Sequence, residues 1–185
     1  MAQCKGLNLS SRLRYVHEVY GPEAAQRLTH ALQPETQALL ERRVLPHEWV
    51  PFSAFIDVNV VADRLFGKGD LALCREMGAW AATANLPRIF RLFYRFGSPN
   101  FLFERAAKLW GAHYDTGRMD SASDADGAVH LTISDFGHPH RAHCLSVLGW
   151  CVRSIEMSGA KVNSAVEKQC RLRGDACCEL VAHWT

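Results

Sequence analysis

Four side chains that could take part in metal or redox chemistry lie close together near the end of the chain. The segment EKQCRLRGDACCELVAHW, 167–184, places Glu167, Cys170, Cys177 and Cys178 within 12 residues of one another. Thiolates and carboxylates bind zinc, neighbouring thiols can act as a redox pair, and free cysteine also packs as a small apolar side chain. The spacing leaves a metal site, a redox switch and ordinary packing open as interpretations.

The composition favours a cytoplasmic protein with reduced thiols. A length of 185 residues suits one domain or two small ones, and 48% of the residues are hydrophobic, enough to form a buried core. The 21 Lys and Arg nearly balance 19 Asp and Glu, so no nucleic-acid surface is expected. The opening segment MAQCKGLNLSSRLR lacks the apolar core of a signal peptide, and no apolar run is long enough to span a membrane. Seven irregularly spaced cysteines predict free thiols rather than a disulfide framework.

Helical periodicity dominates the chain up to Tyr114. Several of the predicted helices begin at a capping Ser or Asp, or at Pro in the first turn. They cover 10–20, 22–32, 34–43, 53–66 and 70–85, followed by two more segments on either side of Gly97–Pro99. Asp63 and Arg64, in the fourth of these helices, are expected on a solvated helix face.

The pattern changes to strands and one long helix after Tyr114. Turn residues at Asp124–Gly127, followed by alternation through Val129, Leu131 and Ile133, predict a β-hairpin. HPHRAHCLSVLGWCVRSIEMSGA predicts a long helix, and KVNSAVEKQC and ACCELVAHW predict two strands around the turn RLRGD. The C-terminal half is therefore expected to fold as β-β-α-β-β.

The predicted fold class is α+β, with an antiparallel four-stranded sheet packed on helices and an N-terminal helical extension. The division is expected at residue 85, so that 1–85 forms the extension and 86–185 forms the α+β domain. One continuous domain over 1–185 is the alternative.

The order helices, hairpin, long helix, hairpin, closed by CRLRGDACCEL, resembles the 4-vinyl reductase domain. That domain belongs to a superfamily with the TRAPP vesicle-transport subunits and the haem nitric-oxide-binding proteins. The chain also resembles the sensor module of bacterial phenol- and xylene-responsive activators. Its N-terminal part, including HEWVPFSAFIDVNVVADRLFGKGD and FGSPNFLFERAAKLWGAHYDTG, is similar to an uncharacterised bacterial paralogue family. The resemblance covers the whole chain and is most specific in the last 42 residues.

This resemblance implies one structural zinc ion. In the aromatic-sensing relatives a Cys on the long helix and Glu-x2-Cys-x7-Cys on the last hairpin hold the metal, which carries over to Cys144, Glu167, Cys170 and Cys178. Three thiolates and a carboxylate would complete a tetrahedral site and leave no open position for water. The dipole at the start of the long helix would favour a thiolate at Cys144.

Nearby side chains have alternative roles. If Glu167 does not reach the metal, its expected replacement is one of three residues: His143, His183 or Cys177. The motif GHPHRAHC could form a second metal site or supply a haem axial ligand, although solvated side chains before the helix are expected there. Its histidines are His138, His140 and His143.

The resemblance also implies a cavity for a small apolar or lipid-like ligand between the long helix and the helical layer. Aromatic residues could line it, although aromatic stripes at helical spacing more often form core. The candidate pocket residues are Phe90, Phe93, Tyr94, Trp110, Tyr114 and Trp150. The hairpin RMDSASDADGAVHLTI contains no Trp to match the relatives, so phenol sensing is not expected.

The function expected from these observations is non-catalytic. No nucleophile elbow, P-loop, HExxH motif or dinucleotide fingerprint occurs. We expect a sensor or scaffold that recognises an apolar small molecule or another protein, forms a homodimer and acts through a partner signalling protein. Two alternatives stay open: an accessory protein in tetrapyrrole vinyl reduction, and a haem-based gas sensor.

Overall fold

The computed structural model describes residues 1–85, 99–124 and 127–185, with side chains from residue 102 onward in the second range. In chain order its helices and strands are β1 (Gln3–Lys5), α1 (Gly6–Tyr20), α2 (Pro22–Ala31), α3 (Pro34–Leu40), β2 (Trp49–Pro51), α4 (Phe52–Phe66), α5 (Ala72–Ala84), α6 (Pro99–Lys108), β3 (Arg118–Ser123), β4 (Ala128–Ser134), α7 (Arg141–Met157), β5 (Val162–Gln169) and β6 (Cys178–Trp184). Single 3₁₀ turns follow α6 and β5. The helix predicted directly after α5 lies outside the described residues.

The predicted fold class is confirmed, because an antiparallel sheet packs on helices. The four strands lie in the order β3-β4-β6-β5, and every neighbouring pair is antiparallel. The pairs Leu131↔Leu180 and Ile133↔Cys178 place buried side chains on one face of the sheet. α7 packs across β5 and β6, and the same core continues into α1, α4 and α5. The division at residue 85 stays a prediction.

The other face of the sheet carries several charged and polar side chains, as expected when one side of an antiparallel sheet meets water. His130 Nδ1 lies 2.8 Å from Glu179 Oε1 on the adjacent strand, and Lys168 Nζ lies 3.8 Å from Glu179 Oε2. Alternation along β4 therefore assigns one row of side chains to the core and the other to this surface.

A close helix crossing joins the N-terminal helices to the C-terminal half. α5 and α7 make the most extensive contact between any two described elements that are not strands. A Cβ atom on Gly78 would lie 2.0 Å from the carbonyl oxygen of Ser146. Because two backbones approach this closely, the crossing tolerates only glycine there.

A short two-stranded sheet was not predicted from the sequence. β1 pairs with β2 through Cys4↔Val50, and this pairing holds the first residues against the start of α4. Each strand has three residues, too few to show a period-two pattern. Among the described helices, none is long and apolar enough to cross a bilayer.

Two local expectations are wrong. Helix α1 begins at Gly6, and Ser11 lies inside it with its hydroxyl donating to the carbonyl of Asn8 at 2.9 Å, so no serine caps it. Asp63 is fully buried rather than solvated, and its carboxylate accepts hydrogen bonds from the backbone N–H groups of Leu71 and Leu73 at 2.9 and 3.0 Å. Asp63 thereby caps α5 from the preceding helix, which its sequence position does not reveal.

Candidate metal centre and ligand-binding region

The four predicted zinc ligands come from three elements that meet at one end of the sheet. Cys144 lies in the first turn of α7, Glu167 lies near the end of β5, Cys170 follows that strand, and Cys178 opens β6. All three cysteines are at most 2% exposed, and the Glu167 side chain is 6% exposed. A reversed turn at Gly174, which has a φ of 91°, returns the chain from Cys170 to Cys178.

The thiols and the carboxylate form a continuous cluster, here called the thiol cluster: Cys144, Glu167, Cys170 and Cys178. Cys144 donates a hydrogen bond to Cys178, and Cys170 donates another. The bond from Cys144, with help from the backbone N–H of Arg171 at 3.5 Å, lowers the pKa of Cys178 to about 6. Burial first, and the adjacent Glu167 carboxylate second, raise the pKa of Cys170.

The expectation that the helix dipole favours a thiolate at Cys144 stays a prediction. The hydrogen bond that Cys144 donates to Cys178, together with burial, raises the pKa of Cys144. This hydrogen bond shifts the two pKa values in opposite directions, because the donor Cys144 holds its proton more strongly while the acceptor Cys178 loses its proton more readily.

Only one of the two carboxylate oxygens of Glu167 has partners among the described residues. Oε2 accepts from Arg173 Nη1 at 3.0 Å and lies 3.7 Å from Arg141 Nε. Oε1 is buried and has no hydrogen-bond partner in the part of the chain that the structure describes. A buried carboxylate oxygen without a partner is unfavourable unless a cation or a donor reaches it, so its chemistry suits a metal ligand.

The cluster is not arranged as a finished coordination sphere. Within residues 1–85, 99–124 and 127–185, no group of three or more His, Cys, Asp or Glu side chains is positioned to hold a metal ion. The side chains of the three alternative ligands have other surroundings. The Cys177 thiol donates to Gln169 Oε1 at 3.1 Å, His183 is exposed opposite Ala128, and His143 is enclosed by aromatic rings. The zinc ligand set stays a prediction.

The predicted pocket residues divide into separate groups. The rings of Trp110 and Tyr114 lie 4.4 Å apart, and Tyr114 lies 4.8 Å from His143, so both belong to packed core. Trp150, two helical turns beyond His143, meets Phe103 edge-on at 6.0 Å instead. The remaining candidates, Phe90, Phe93 and Tyr94, lie outside the described residues.

His143 is buried rather than solvated, which corrects the expectation for that histidine. The rings of Phe52 and Phe136 lie 5.2 and 5.1 Å from it, and its Nε2 has no hydrogen-bond partner among the described residues. Burial, then the positive charge of Arg12, lowers the pKa of His143 to about 3. His140 has a structural task, because its Nδ1 accepts from the backbone N–H of Ala142 at 3.1 Å and caps α7.

A shallow cleft of about 490 Å³ opens between α4 and the loop before α7. Its walls are mainly apolar and include one carboxylate and two imidazoles, and the lining residue Phe52 also contacts His143. The lining residues are Met1, Ala2, Phe52, Ser53, Ile56, Asp57, Val60, His138, Pro139 and His140. Its volume lies within the usual range for small-molecule sites.

Sequence reasoning missed a buried arginine. Arg12 is 5% exposed, and its guanidinium donates to the carbonyl of Met77 at 3.0 Å and to Ser146 Oγ at 2.5 Å. The one available signal is its spacing, since Arg12 follows Leu9 by three residues and precedes Val16 by four, both of them buried in the same helix.

Comparison with solved structures assigns the class of fold. The chain has the fold of the H-NOX proteins, and the likeness extends over 98% of its length. No protein-family model matches the sequence, and no curated protein matches it.

The individual structures agree with one another. An H-NOX protein from S. oneidensis in the Fe(II)NO ligation state superposes with a TM-score of 0.75 at 14% identity and is covered over 99% of its chain. The Fe(II) unliganded H-NOX protein from K. algicida gives 0.71 at 10% identity, with 96% of that chain covered. The H-NOX domain from Shewanella oneidensis in the Fe(II)CO ligation state gives 0.72 at 14%, with 98% covered. At these identities the likeness establishes the fold.

Proposed function

We propose that this protein is a ligand-binding sensor module that has no catalysis of its own and signals through a separate protein. The observation that carries the proposal is the whole-length likeness to H-NOX structures, several of which are described in states with a diatomic molecule bound to iron. A fold does not fix a function, so the ligand must be argued from this chain's own residues.

The cleft beside α4 is the best candidate for an apolar ligand. Phe52, Ile56 and Val60 offer apolar walls, and Asp57 and His140 could fix the orientation of one polar group. The bond from Ala142 N–H to His140 Nδ1 places the proton of a neutral His140 on Nε2, so this imidazole can donate to an oxygen of the ligand. A ligand seated here would touch Phe52, whose other side contacts His143.

The thiol cluster would serve as the structural support of this module by holding a zinc ion. Cys144, Cys170 and Cys178 would supply sulfur and the free Oε1 of Glu167 would supply oxygen. Such a metal would tie α7 to the last hairpin and would couple metal binding to folding. Small side-chain movements would be needed, because no three potential ligands among the described residues are yet positioned to hold a metal ion.

Haem-based gas sensing is the second candidate, and the comparisons favour it. The described residues contain one buried imidazole without a partner at Nε2, that of His143. The described core around it does not fit a haem, because Phe52, Trp110, Tyr114 and Phe136 lie 4.8–5.7 Å from its ring and fill the space that a macrocycle would need. Haem binding at His143 would therefore require the aromatic core to separate.

Native mass spectrometry and absorbance of protein purified from cells test these candidates together. The proposed sensor is expected to carry one zinc ion, to retain or accept a small apolar molecule and to show no Soret band. A Soret band with one haem per chain would favour the gas sensor instead. Protein that binds neither haem nor any member of a panel of apolar small molecules would contradict the sensor proposal itself.

A further inference from the structure

Arg12 is a buried cation that has only neutral partners in the described structure. Its guanidinium donates to the Met77 carbonyl and the Ser146 hydroxyl, and it stands 5.3 Å from the ring of Phe55. No ion pair links it to any Asp or Glu within the described ranges. Burial lowers the pKa of Arg12 to about 10, which leaves the group charged at neutral pH. An uncompensated buried charge is strongly unfavourable.

The segment 86–98, LPRIFRLFYRFGS, contains no Asp or Glu that could serve as a counter-ion.

The ionisable groups beside Arg12 do not supply a negative charge either. Burial raises the pKa of Cys4 and of Cys74 to about 12 and also raises the pKa of Tyr114. All three stay protonated and neutral at pH 7, although Arg12 stands near each of them. The compensating charge is therefore expected to come from outside the chain.

Three buried polar atoms around Phe55 have no hydrogen-bond partner in the described part of the chain. They are Arg12 Nε, Asn59 Oδ1 and His143 Nε2. His143 lies 6.2 Å from the Phe55 ring, and Asn59 Nδ2 donates to the Phe55 carbonyl at 2.7 Å, so all three residues adjoin Phe55. Buried polar atoms of this kind normally have partners, and together they offer one donor, one acceptor and one imidazole nitrogen.

We propose that a small monovalent oxyanion of the bicarbonate type binds between α1, α4 and α7 at Arg12. Its oxygens would accept from Arg12 Nε–H and from the neutral imidazole of His143, and its hydroxyl would donate to Asn59 Oδ1. The anion neutralises the buried guanidinium and satisfies all three atoms at once. The site does not depend on the sensor function, since it would be needed to compensate Arg12 in any case.

Thermal unfolding at constant ionic strength and pH tests this site, with gluconate as a background anion too large to enter. A ligand at ten times its Kd is expected to raise the Tm by on the order of 4 °C. Bicarbonate should raise the Tm more than nitrate does, because nitrate has no hydroxyl group to donate to Asn59 Oδ1. Equal rises in Tm with bicarbonate and nitrate would support the anion site but would contradict the proposed role of Asn59 Oδ1.

Variants separate the site from general salt effects. Arg12→Met should abolish the dependence on bicarbonate, and Asn59→Leu should remove the preference over nitrate. Arg14→Met is the matched control, because Arg14 is an exposed arginine on the same helix, paired with Glu18 at 3.1 Å, and its loss should leave the anion response intact.

Should Arg12→Met fail to fold, crystals of the wild-type protein grown with bromide provide a second measurement. An anomalous peak beside Arg12 Nε would support the site. A wild-type Tm that is the same in bicarbonate, nitrate and gluconate, with no bromide peak at Arg12, would overturn it.

Discussion

Gly149 of α7 lies directly against the backbone of Arg75 in α5. A Cβ atom at Gly149 would stand 1.9 Å from the carbonyl oxygen of Arg75, closer than any real contact. Together with Gly78, which meets Ser146 on α7, this contact sets the distance between the two helices.

Gly149→Ala is expected to destabilise the fold. The added methyl group forces α5 and α7 apart along their whole contact. By analogy with overpacked cores, the free energy of unfolding should fall by about 3 kcal/mol. Urea unfolding followed by circular dichroism measures it. Gly111→Ala is the control, because a Cβ there meets nothing within 4 Å, and it should change stability by less than about 0.5 kcal/mol. Equal stability of the two variants would contradict the close helix crossing.

Cys170→Ser is expected to remove zinc and stability together, whereas Cys177→Ser should do neither. Cys170 is buried beside Glu167 and Cys178, while the Cys177 thiol is bonded to Gln169. The parent protein, purified without chelator, should contain about one equivalent of zinc. Loss of this zinc ion in Cys170→Ser should lower the Tm by roughly 10 °C. Less than about 0.2 equivalents in the parent, with Cys170→Ser melting like the parent, would favour simple packing of the cysteines.

His143 is expected to make stability fall as the pH falls. Its pKa drops from 6.5 to about 3 on folding, so the unfolded chain binds the proton more readily. This contribution to the free energy of unfolding is fully present above pH 6.5 and is lost as the pH approaches 3, by on the order of 5 kcal/mol in total. Since other groups titrate too, the measurement is the difference between the parent and His143→Phe across this range.

The His143→Phe variant should lose less stability on acidification than the parent, because phenylalanine fits the aromatic surroundings without binding a proton. His17→Phe, on the exposed part of α1, is the control and should follow the parent's pH dependence. Parallel pH profiles for the parent and His143→Phe would show that His143 titrates normally in the folded protein.

The protein is expected to form a homodimer. Exposed apolar side chains are typical of surfaces that bury against a partner. Val166 on the edge strand β5 and Leu172 in the turn after it are both more than half exposed. Light scattering over a micromolar concentration series should give a mass of twice 20.7 kDa. A mass of 20.7 kDa at every concentration would rule the dimer out.

The sequence alone determined the order of the described helices and of the four strands of the larger sheet, with most of their bounds, but not β1 and β2. Helical and strand periodicity, with Pro, Gly and Asp at the ends, reflects local backbone chemistry that acts over a few residues. The proximity of Glu167, Cys170 and Cys178 was likewise accessible, because one short hairpin brings them together. Cys144 joined the set of candidate zinc ligands through the family resemblance and not through local sequence patterns.

Only the tertiary structure decided which polar residues are buried and what they do. Arg, Asp and His side chains are usually solvated, but Arg12, Asp63 and His143 are buried by contacts with elements other than their own. Periodicity describes one element at a time, so it cannot show that α5 supplies the carbonyl for Arg12 or that Asp63 caps the next helix. The pKa values of Cys144 and Cys178 separate for the same reason, since the charge depends on which thiol donates after α7 has packed against β6.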